Sequence, residues 1–380
     1  MWDFKAARES GAAFDRPFFE FFQWGTIEKN PEQFDFSETD RYVYAAQVNG
    51  LHILPNIQPF AAWDHTGKGK PHDMAKYRDF VGHLVERYDG DGTDDMPGLI
   101  IPVKHWEVLN EPEFQQEPLV FFQGTPKDYL DVLQTTYEAV KRADPSAQIV
   151  QGGMAGMMAV STSFWQSIFD LGGAKYFDIA NIHSIGHGEH LNLPAFRTFL
   201  ARNGIANKPI WITEVQFQQA RQTQGYTAAD FAKVLARSYI FALANGVEKL
   251  FYVNIRMPPV KSGVPFTEDS ALIDDRGEKS PIFYAHLTVA NMLGGLSHSD
   301  SVQTIREKVG DWSIDEGQYK FNVNSNTIYA LWGTGAPPPE ITGNVKVTEI
   351  SGEQRAIDAS ALRLTDSPVF VEPDLGARTK

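Results

Sequence analysis

Short apolar runs alternate with longer helical patterns along most of this 380-residue chain. Strict alternation is typical of a parallel sheet, because each strand returns to the same sheet edge through a helix. The expected strands are residues 17–25, 51–60, 104–109, 148–153, 177–183, 209–213 and 249–254. The expected helices are residues 40–49, 73–88, 127–143, 163–171, 193–203, 228–245 and 281–293. Their number and order favour an α/β fold, the (β/α)₈ TIM barrel.

An eight-stranded barrel needs one strand more than this pattern supplies. Residues 1–11 read as its first helix, so we expect the first strand to be missing or atypical. No glycine-rich nucleotide motif follows any strand, which disfavours the doubly wound nucleotide-binding folds.

The pattern changes after Gly294 and Gly295. Short β-like runs without intervening helices cover residues 318–322, 327–332, 345–350 and 369–372. This pattern predicts a small C-terminal antiparallel β domain. We therefore expect a barrel domain over residues 1–296 and a β-sheet domain over residues 297–380.

Charge and composition remove several classes of function. A net charge of -14 repels phosphate backbones, which argues against nucleic acid as a partner. The chain has no cysteine, so thiol catalysis, disulfides and iron–sulfur clusters are excluded. No apolar run approaches the roughly 18 residues of a spanning helix, so no membrane association is expected. No signal peptide is visible, and secreted and cytoplasmic locations both stay open.

Two of the expected strands are closely followed by a glutamate. The stretch Trp106 to Pro112 reads WEVLNEP, with Glu111 at the strand end and Asn110 beside it. The stretch Pro209 to Glu214 reads PIWITE. In a parallel barrel the carboxyl ends of the strands face the active site, so these glutamates would meet across the opening. Two facing carboxylates are the groups that glycoside hydrolysis requires, although each could also be an ordinary surface residue.

The two motifs together resemble those of the retaining glycoside hydrolases of clan A, over roughly residues 12–295. The stretch WGTIEKNPEQFDFSETD resembles the second strand–helix unit of that clan. The C-terminal region, which ends SPVFVE, is similar to that of glycoside hydrolase family 39 and its relatives. The resemblance implies that Glu111 is the acid/base, that Glu214 is the nucleophile, and that Asn110 binds the sugar 2-hydroxyl.

The chain departs from the clan's pattern at the end of the sixth strand. Members usually carry an aromatic hydroxyl there that donates to the nucleophile, whereas residues 181–185 contain no Tyr. Either His183 or Tyr252 is expected to take this role. Arg16 is a second candidate neighbour, because a buried arginine would hold the nucleophile ionised, although a surface residue at a turn is an equally good interpretation.

Further candidates for sugar binding lie near predicted strand ends. Tryptophan rings stack on pyranose faces, and amides supply the directional hydrogen bonds. These substrate-binding candidates are Trp24, Trp63, Trp211, Gln216, Tyr252 and Asn254. For each tryptophan, packing in the core is an equally good interpretation.

Two patterns suggest metal ions. His183, His187 and His190 have the spacing of ligands on a helix, but Gly186 and Gly188 disfavour a helix there, so no catalytic metal is expected. Asp89, Asp91, Thr93 and Asp95 resemble the first half of a calcium loop that lacks the final glutamate. Structural calcium is therefore a candidate at residues 89–95, and no cofactor is required.

These observations predict a retaining β-glycoside hydrolase that acts on oligo- or polysaccharide through a covalent glycosyl-enzyme. The alternatives are a non-catalytic carbohydrate-binding barrel and a metal-dependent hydrolase built on the histidines. Carbohydrate is the expected partner, and an oligomer is compatible with the sequence. The sugar, the linkage and the choice between endo and exo cleavage stay open.

Overall fold

The computed structural model of the chain describes residues 2–218, 220–253, 255–256, 270–297 and 300–373. The chain divides into two compact units. The first contains residues 13–183 and 194–214, and the second contains residues 1–12, 184–193 and 215–380.

The α-helices have these bounds: α1 Phe4–Glu9, α2 Trp24–Ile27, α3 Ser37–Gln47, α4 Met74–Glu86, α5 Pro126–Ala143, α6 Ala159–Asp170, α7 Leu193–Arg202, α8 Ala228–Ala244 and α9 Pro281–Leu293. The strands up to the last helix are β1 Phe14–Asp15, β2 Glu28–Asn30, β3 Gln33–Phe34, β4 His52–Ile53, β5 Asn56–Ile57, β6 His105–Val108, β7 Gln115–Gln116, β8 Leu119–Val120, β9 Gln148–Val150, β10 Ala180–Ile185, β11 Ile210–Gln216 and β12 Val247–Tyr252. The strands after it are β13 Ser301–Val309, β14 Ile314–Val323, β15 Asn326–Trp332, β16 Asn344–Glu349, β17 Gln354–Asp358 and β18 Val369–Pro373.

Parallel pairing organises the first unit. β1 pairs with β4, and β6 lies between β5 and β9. Single bridges carry the parallel pattern from β9 to β10, where Val150 pairs with Ile179 and Met154 with Ile182. The long helix α5 begins in a capping box, with the Thr125 hydroxyl accepting the Asp128 amide and the Asp128 carboxylate accepting the Thr125 amide. The helix thus begins one residue before the expected range of 127–143.

Large aromatic side chains fill the interior of the first unit. Trp24, Trp106, Trp165 and Trp211 are each at most 1% exposed. Half of the eight tryptophans of the chain thus serve the core of this unit, where each large ring removes much apolar surface from water.

An antiparallel sheet dominates the second unit. Its six strands run in the order β13, β14, β15, β18, β16, β17. One face packs a cluster around Leu331, Val347 and Val371, all fully buried. Helices α8 and α9 pack against each other in the same unit. The α/β architecture and the C-terminal antiparallel sheet are thus confirmed, while the boundary expected between residues 296 and 297 stays a prediction.

Two parts of the fold differ from expectation. Among the described residues the strands do not close into a complete barrel. Residues 17–25 are not a strand, because the strand ends before Pro17, which has no N–H to donate, and a 3₁₀ turn follows at Phe19–Phe22. No helix in the described part of the chain is both long enough and apolar enough to span a bilayer.

Candidate active site

Glu111 lies just beyond the end of β6, in irregular backbone. Leu109 and Glu111 have φ angles of 63° and 38°, in the left-handed region that few residues other than glycine adopt. Asn110 forms an isolated bridge with Gly153, which follows β9, and the Glu111 amide donates to the Gly153 carbonyl at 3.1 Å. These bonds hold the loop that carries Glu111 against the segment after β9.

Glu214 lies inside β11 rather than at its end, since the strand continues to Gln216. The side chain of Glu214 is 20% exposed to solvent. The Arg16 guanidinium, which follows β1, donates to Glu214 Oε1 at 2.8 Å. The predicted neighbourhood of Arg16 and Glu214 is therefore present in the structure.

One ring nitrogen of His183 faces both glutamates. Its Nδ1 lies 2.8 Å from Glu111 Oε1 and 3.7 Å from Glu214 Oε2. One oxygen of each glutamate and a ring nitrogen of His183 all lie within 4.8 Å of one another. Carboxyl groups about 5 Å apart are typical of retaining glycosidases, whereas inverting enzymes separate them by roughly 6.5–9.5 Å.

Arg16 ties the nucleophile candidate to two further groups. It donates to both oxygens of the fully buried Glu107 and to Asn110 Oδ1 at 2.7 Å. The amide of Asn110 is thereby oriented, with its oxygen on the guanidinium. A positive charge on Arg16 therefore compensates two carboxylates in a region with little water.

The environments shift the pKa values of the two glutamates in opposite directions. Burial raises the pKa of Glu111, and the hydrogen bond and charge of His183 only partly offset it. Burial also acts on Glu214, but the positive charges of His183 and Arg16 outweigh it and lower the pKa of Glu214. One carboxyl is thus biased toward the protonated form and the other toward the ionised form.

A polar layer lies beneath these groups. Asn181 Nδ2 donates to Glu107 Oε1 at 2.9 Å and to the Thr213 hydroxyl at 2.8 Å. The Thr213 hydroxyl is in turn 2.9 Å from Nε2 of His183. All four of these side chains are at most 2% exposed, so the network is closed to solvent.

Glycines after β9 make room for this arrangement. A Cβ atom at Gly153 would fall 1.9 Å from Nε2 of His183, and one at Gly152 would fall 2.4 Å from the Val108 carbonyl. Side chains at either position would push the histidine or strand β6 out of place. The Gly152-Gly153 pair is thus part of the site, and the sequence reasoning did not identify it.

Glu113 is a second feature that the sequence reasoning missed. The side chain is 3% exposed and accepts the Ala155 amide at 2.8 Å and the Trp165 indole N–H at 3.3 Å. Burial raises the pKa of Glu113 to about 7. The missed signal was a charged residue directly after Pro112, within two positions of a candidate catalytic group.

The tryptophan candidates divide by exposure. Trp24 is fully buried and donates to Glu28 Oε2 at 2.6 Å, and Trp211 packs edge-on to Phe14 at 5.8 Å between ring centres. Rings without an exposed face have nothing to offer a sugar, so we assign both to the core. Trp63 is half-buried, and its N–H donates to the Glu28 carbonyl at 2.6 Å.

Three other candidates belong to the second unit or lie outside the described residues. Gln216 is fully buried, and its side-chain oxygen accepts the amides of Phe217 and Gln218. The Tyr252 hydroxyl donates to the Ser270 carbonyl at 2.8 Å. Asn254 lies outside the described residues. Sugar binding by these residues stays a prediction.

The metal candidates find limited support. Neither His187 nor His190 joins another His, Asp or Glu in a ligand-like group of three among the described residues. Glu111, His183 and Glu214 have the spacing of such a group, but Arg16 already supplies a positive charge there, so we do not assign them as ligands. In the 89–95 loop, Asp89, Asp91 and Asp95 accept amides of the loop itself. Calcium at this loop stays a prediction.

Comparisons with known proteins place the fold. No protein-family sequence model matches the chain. A solved family 39 glycoside hydrolase from the gut symbiont Bacteroides cellulosilyticus is 16% identical, with a TM-score of 0.71 over 97% of this chain and 77% of that chain. A glucosidase from Croceicoccus marinus is 16% identical, with a TM-score of 0.66 over 97% of this chain and 91% of that one.

A third similar structure is xylanase 10B from Thermotoga maritima, 17% identical, with a TM-score of 0.54 over 73% of this chain and 86% of that one. The chain therefore has the fold of the TIM-barrel glycoside hydrolases. The predicted resemblance to family 39 and other families of clan A is confirmed, and at these identities it is a likeness of fold.

Proposed function

We propose that this protein is a retaining β-glycoside hydrolase acting on oligo- or polysaccharide. The observation that carries the proposal is the pair Glu111 and Glu214, which have oxygens within 4.8 Å of each other, both facing Nδ1 of His183. This separation is in the range of retaining enzymes, in which one carboxylate attacks directly, and lies below the roughly 6.5–9.5 Å of inverting enzymes.

In the first step Glu214 attacks the anomeric carbon while Glu111 transfers its proton to the glycosidic oxygen. The bond between that carbon and the leaving oxygen breaks, and a covalent glycosyl ester forms on Glu214. The lowered pKa of Glu214 supports its role as an ionised nucleophile, and the raised pKa of Glu111 supports its role as the acid.

In the second step a water molecule loses its proton to Glu111 and attacks the same carbon, which releases Glu214. Two inversions return the original configuration at the anomeric carbon. Because Arg16 holds Asn110 Oδ1, the amide nitrogen of Asn110 is the side that would donate to the sugar 2-hydroxyl.

The test is hydrolysis of a panel of aryl β-glycosides, soluble β-glucans and xylans by the wild type, Glu214→Ala and Glu111→Ala, with and without azide. We expect turnover by the wild type, an α-glycosyl azide from Glu214→Ala, and a β-glycosyl azide from Glu111→Ala with an activated leaving group. The two variants serve as matched controls, because the anomer of the azide product shows which residue is the nucleophile.

Three outcomes would contradict the proposal. Full activity in Glu214→Ala would remove it from the role of nucleophile. Turnover by the wild type that a chelator abolishes would favour a metal-dependent hydrolase. Binding of an oligosaccharide with no turnover on any substrate would favour a carbohydrate-binding barrel.

A further inference from the structure

The fully buried ring of His183 has a polar atom opposite each nitrogen. Nδ1 lies 2.8 Å from Glu111 Oε1, and Nε2 lies 2.9 Å from the Thr213 hydroxyl oxygen. A neutral imidazole carries its proton on one nitrogen only, and that choice follows from what the other groups can donate.

The donors and acceptors around Thr213 determine the direction of the second contact. The hydroxyl has one proton. Besides Nε2 of His183, two acceptors compete for it: Asn181 Oδ1 at 3.0 Å and the negatively charged carboxylate of Glu107 at 3.3 Å. Asn181 Nδ2 donates one hydrogen bond to the hydroxyl oxygen. With its proton directed to these acceptors, the Thr213 oxygen has a lone pair for an N–H of His183.

We infer that Thr213 is a positioning residue that keeps a proton on Nε2 of His183, which leaves Nδ1 to share a second proton with Glu111. The inference rests on the proposed role of Glu111 as acid/base. It adds a residue, next in sequence to the nucleophile candidate, that acts on the opposite carboxyl group through an imidazole.

The charged groups that face His183 determine how a proton on Nε2 affects Glu111. Glu111 and Glu214 face Nδ1, Arg16 lies beyond Glu214, and Glu107 lies behind Thr213. With Nε2 protonated, loss of the shared proton would leave the Nδ1 lone pair against an ionised Glu111 at 2.8 Å. That repulsion keeps the shared proton on the pair of Glu111 and His183 to higher pH, so the pair retains a proton to deliver.

The pKa of His183 is consistent with a ring that retains its protons. Complete burial opposes a charged ring, but the negative charge of Glu214 and the hydrogen bond to Glu111 outweigh it and raise the pKa of His183. Gly153 leaves the space that the ring occupies, because any side chain at this position would collide with Nε2.

The first test is ¹⁵N NMR of the full chain labelled at its 10 histidines. The signals of His183 are assigned as those missing in His183→Gln. We expect a protonated, pyrrole-type signal for Nε2 across the pH range in which the protein is folded, while the Nδ1 signal changes with pH. A pyridine-type Nε2 signal in the wild type would overturn the inference.

The second test compares Thr213→Val, which removes the hydroxyl at nearly constant volume, with Thr213→Ser, which retains it. In Thr213→Val the proton should move to Nδ1, where it donates to the Glu111 carboxylate and favours the ionised acid. The basic limb of kcat/KM should then shift to lower pH, with the wild-type limb retained in Thr213→Ser. Equal basic limbs in the wild type and a folded Thr213→Val would contradict the inference.

The two tests separate this inference from the proposed function. The NMR result does not need turnover, so it decides the tautomer even if no substrate is found or Thr213→Val fails to fold. If the protein proves not to be a hydrolase but Nε2 is protonated, the hydrogen-bond network is still as inferred, and only its role in catalysis is ruled out.

Discussion

The two glutamates of the candidate site lie on backbone of different conformation. Glu214 lies within the regular strand β11, whereas Glu111 follows the end of β6 in backbone with positive φ. The nucleophile candidate is paired with a permanent cation, Arg16, and the acid candidate is paired with a titratable ring, His183. The comparison teaches that burial biases one of two identical side chains toward the protonated form, while neighbouring positive charges keep the other ionised.

Replacing each glutamate by glutamine should give the largest change in activity. We expect Glu214→Gln to lower kcat/KM roughly 10⁴–10⁶-fold, because no covalent intermediate can form. We expect Glu111→Gln to lower it roughly 10²–10⁴-fold, and to lose little activity with leaving groups that need no proton. Kinetics on aryl glycosides with leaving groups of graded acidity would measure both effects. Equal dependence on the leaving group in the two variants would reverse or remove the assignment.

Removing the cation should weaken both the fold and the nucleophile. Arg16→Met leaves Glu107 and Glu214 without their shared counter-ion, and breaking a buried pair costs about 3–5 kcal/mol. The pKa of Glu214 should rise, so the acid limb of kcat/KM should move to higher pH. Urea unfolding and the pH profile measure the two effects.

The double variant Arg16→Met/Glu107→Gln provides the control, because it removes one of the two stranded charges. It should recover part of the lost unfolding free energy while the acid limb stays shifted. No recovery would mean that Arg16 stabilises the fold by packing and not by charge.

Glu113 should make stability depend on pH. Its folded pKa of about 7 lies above its ordinary value of 4.5, so the stabilising contribution is complete below 4.5 and is lost as pH rises through about 7. The unfolding free energy of the wild type relative to Glu113→Gln should therefore fall by about 3 kcal/mol between acidic and mildly alkaline pH. Urea unfolding at several pH values measures it. Glu138→Gln, which replaces an exposed glutamate of α5, is the control variant.

The smallest effect should come from the glycine that accommodates the imidazole. Gly153→Ala places a methyl group against Nε2 of His183, and overpacking of this kind costs about 1–3 kcal/mol. Gly82→Ala in α4 is the matched control, since nothing lies within 4 Å of the added carbon. Thermal unfolding should separate the two variants, and equal stability would show that His183 can move aside.

The sequence predicted most of the helices and parallel strands, because their apolar periodicities differ. Strand β13 was not predicted, because nearly every residue from Ser301 to Val309 is exposed and the strand therefore shows no alternation of apolar and polar residues. The two glutamates and Arg16 could be found from position and motif. Glu107 and Thr213 could not, because a polar residue inside an apolar strand acquires meaning only when partners from distant strands surround it.

The left-handed backbone at Leu109 and Glu111 has a consequence for anyone who would transplant this chemistry. In an ideal strand consecutive side chains point to opposite faces, so neighbours in sequence would serve different sides of the sheet. Here Asn110 reaches Arg16 and Glu111 reaches His183. Grafting Asn110 and Glu111 onto a regular strand of another scaffold would therefore transfer the residues without their geometry. The positive φ angles at Leu109 and Glu111 must be reproduced as well.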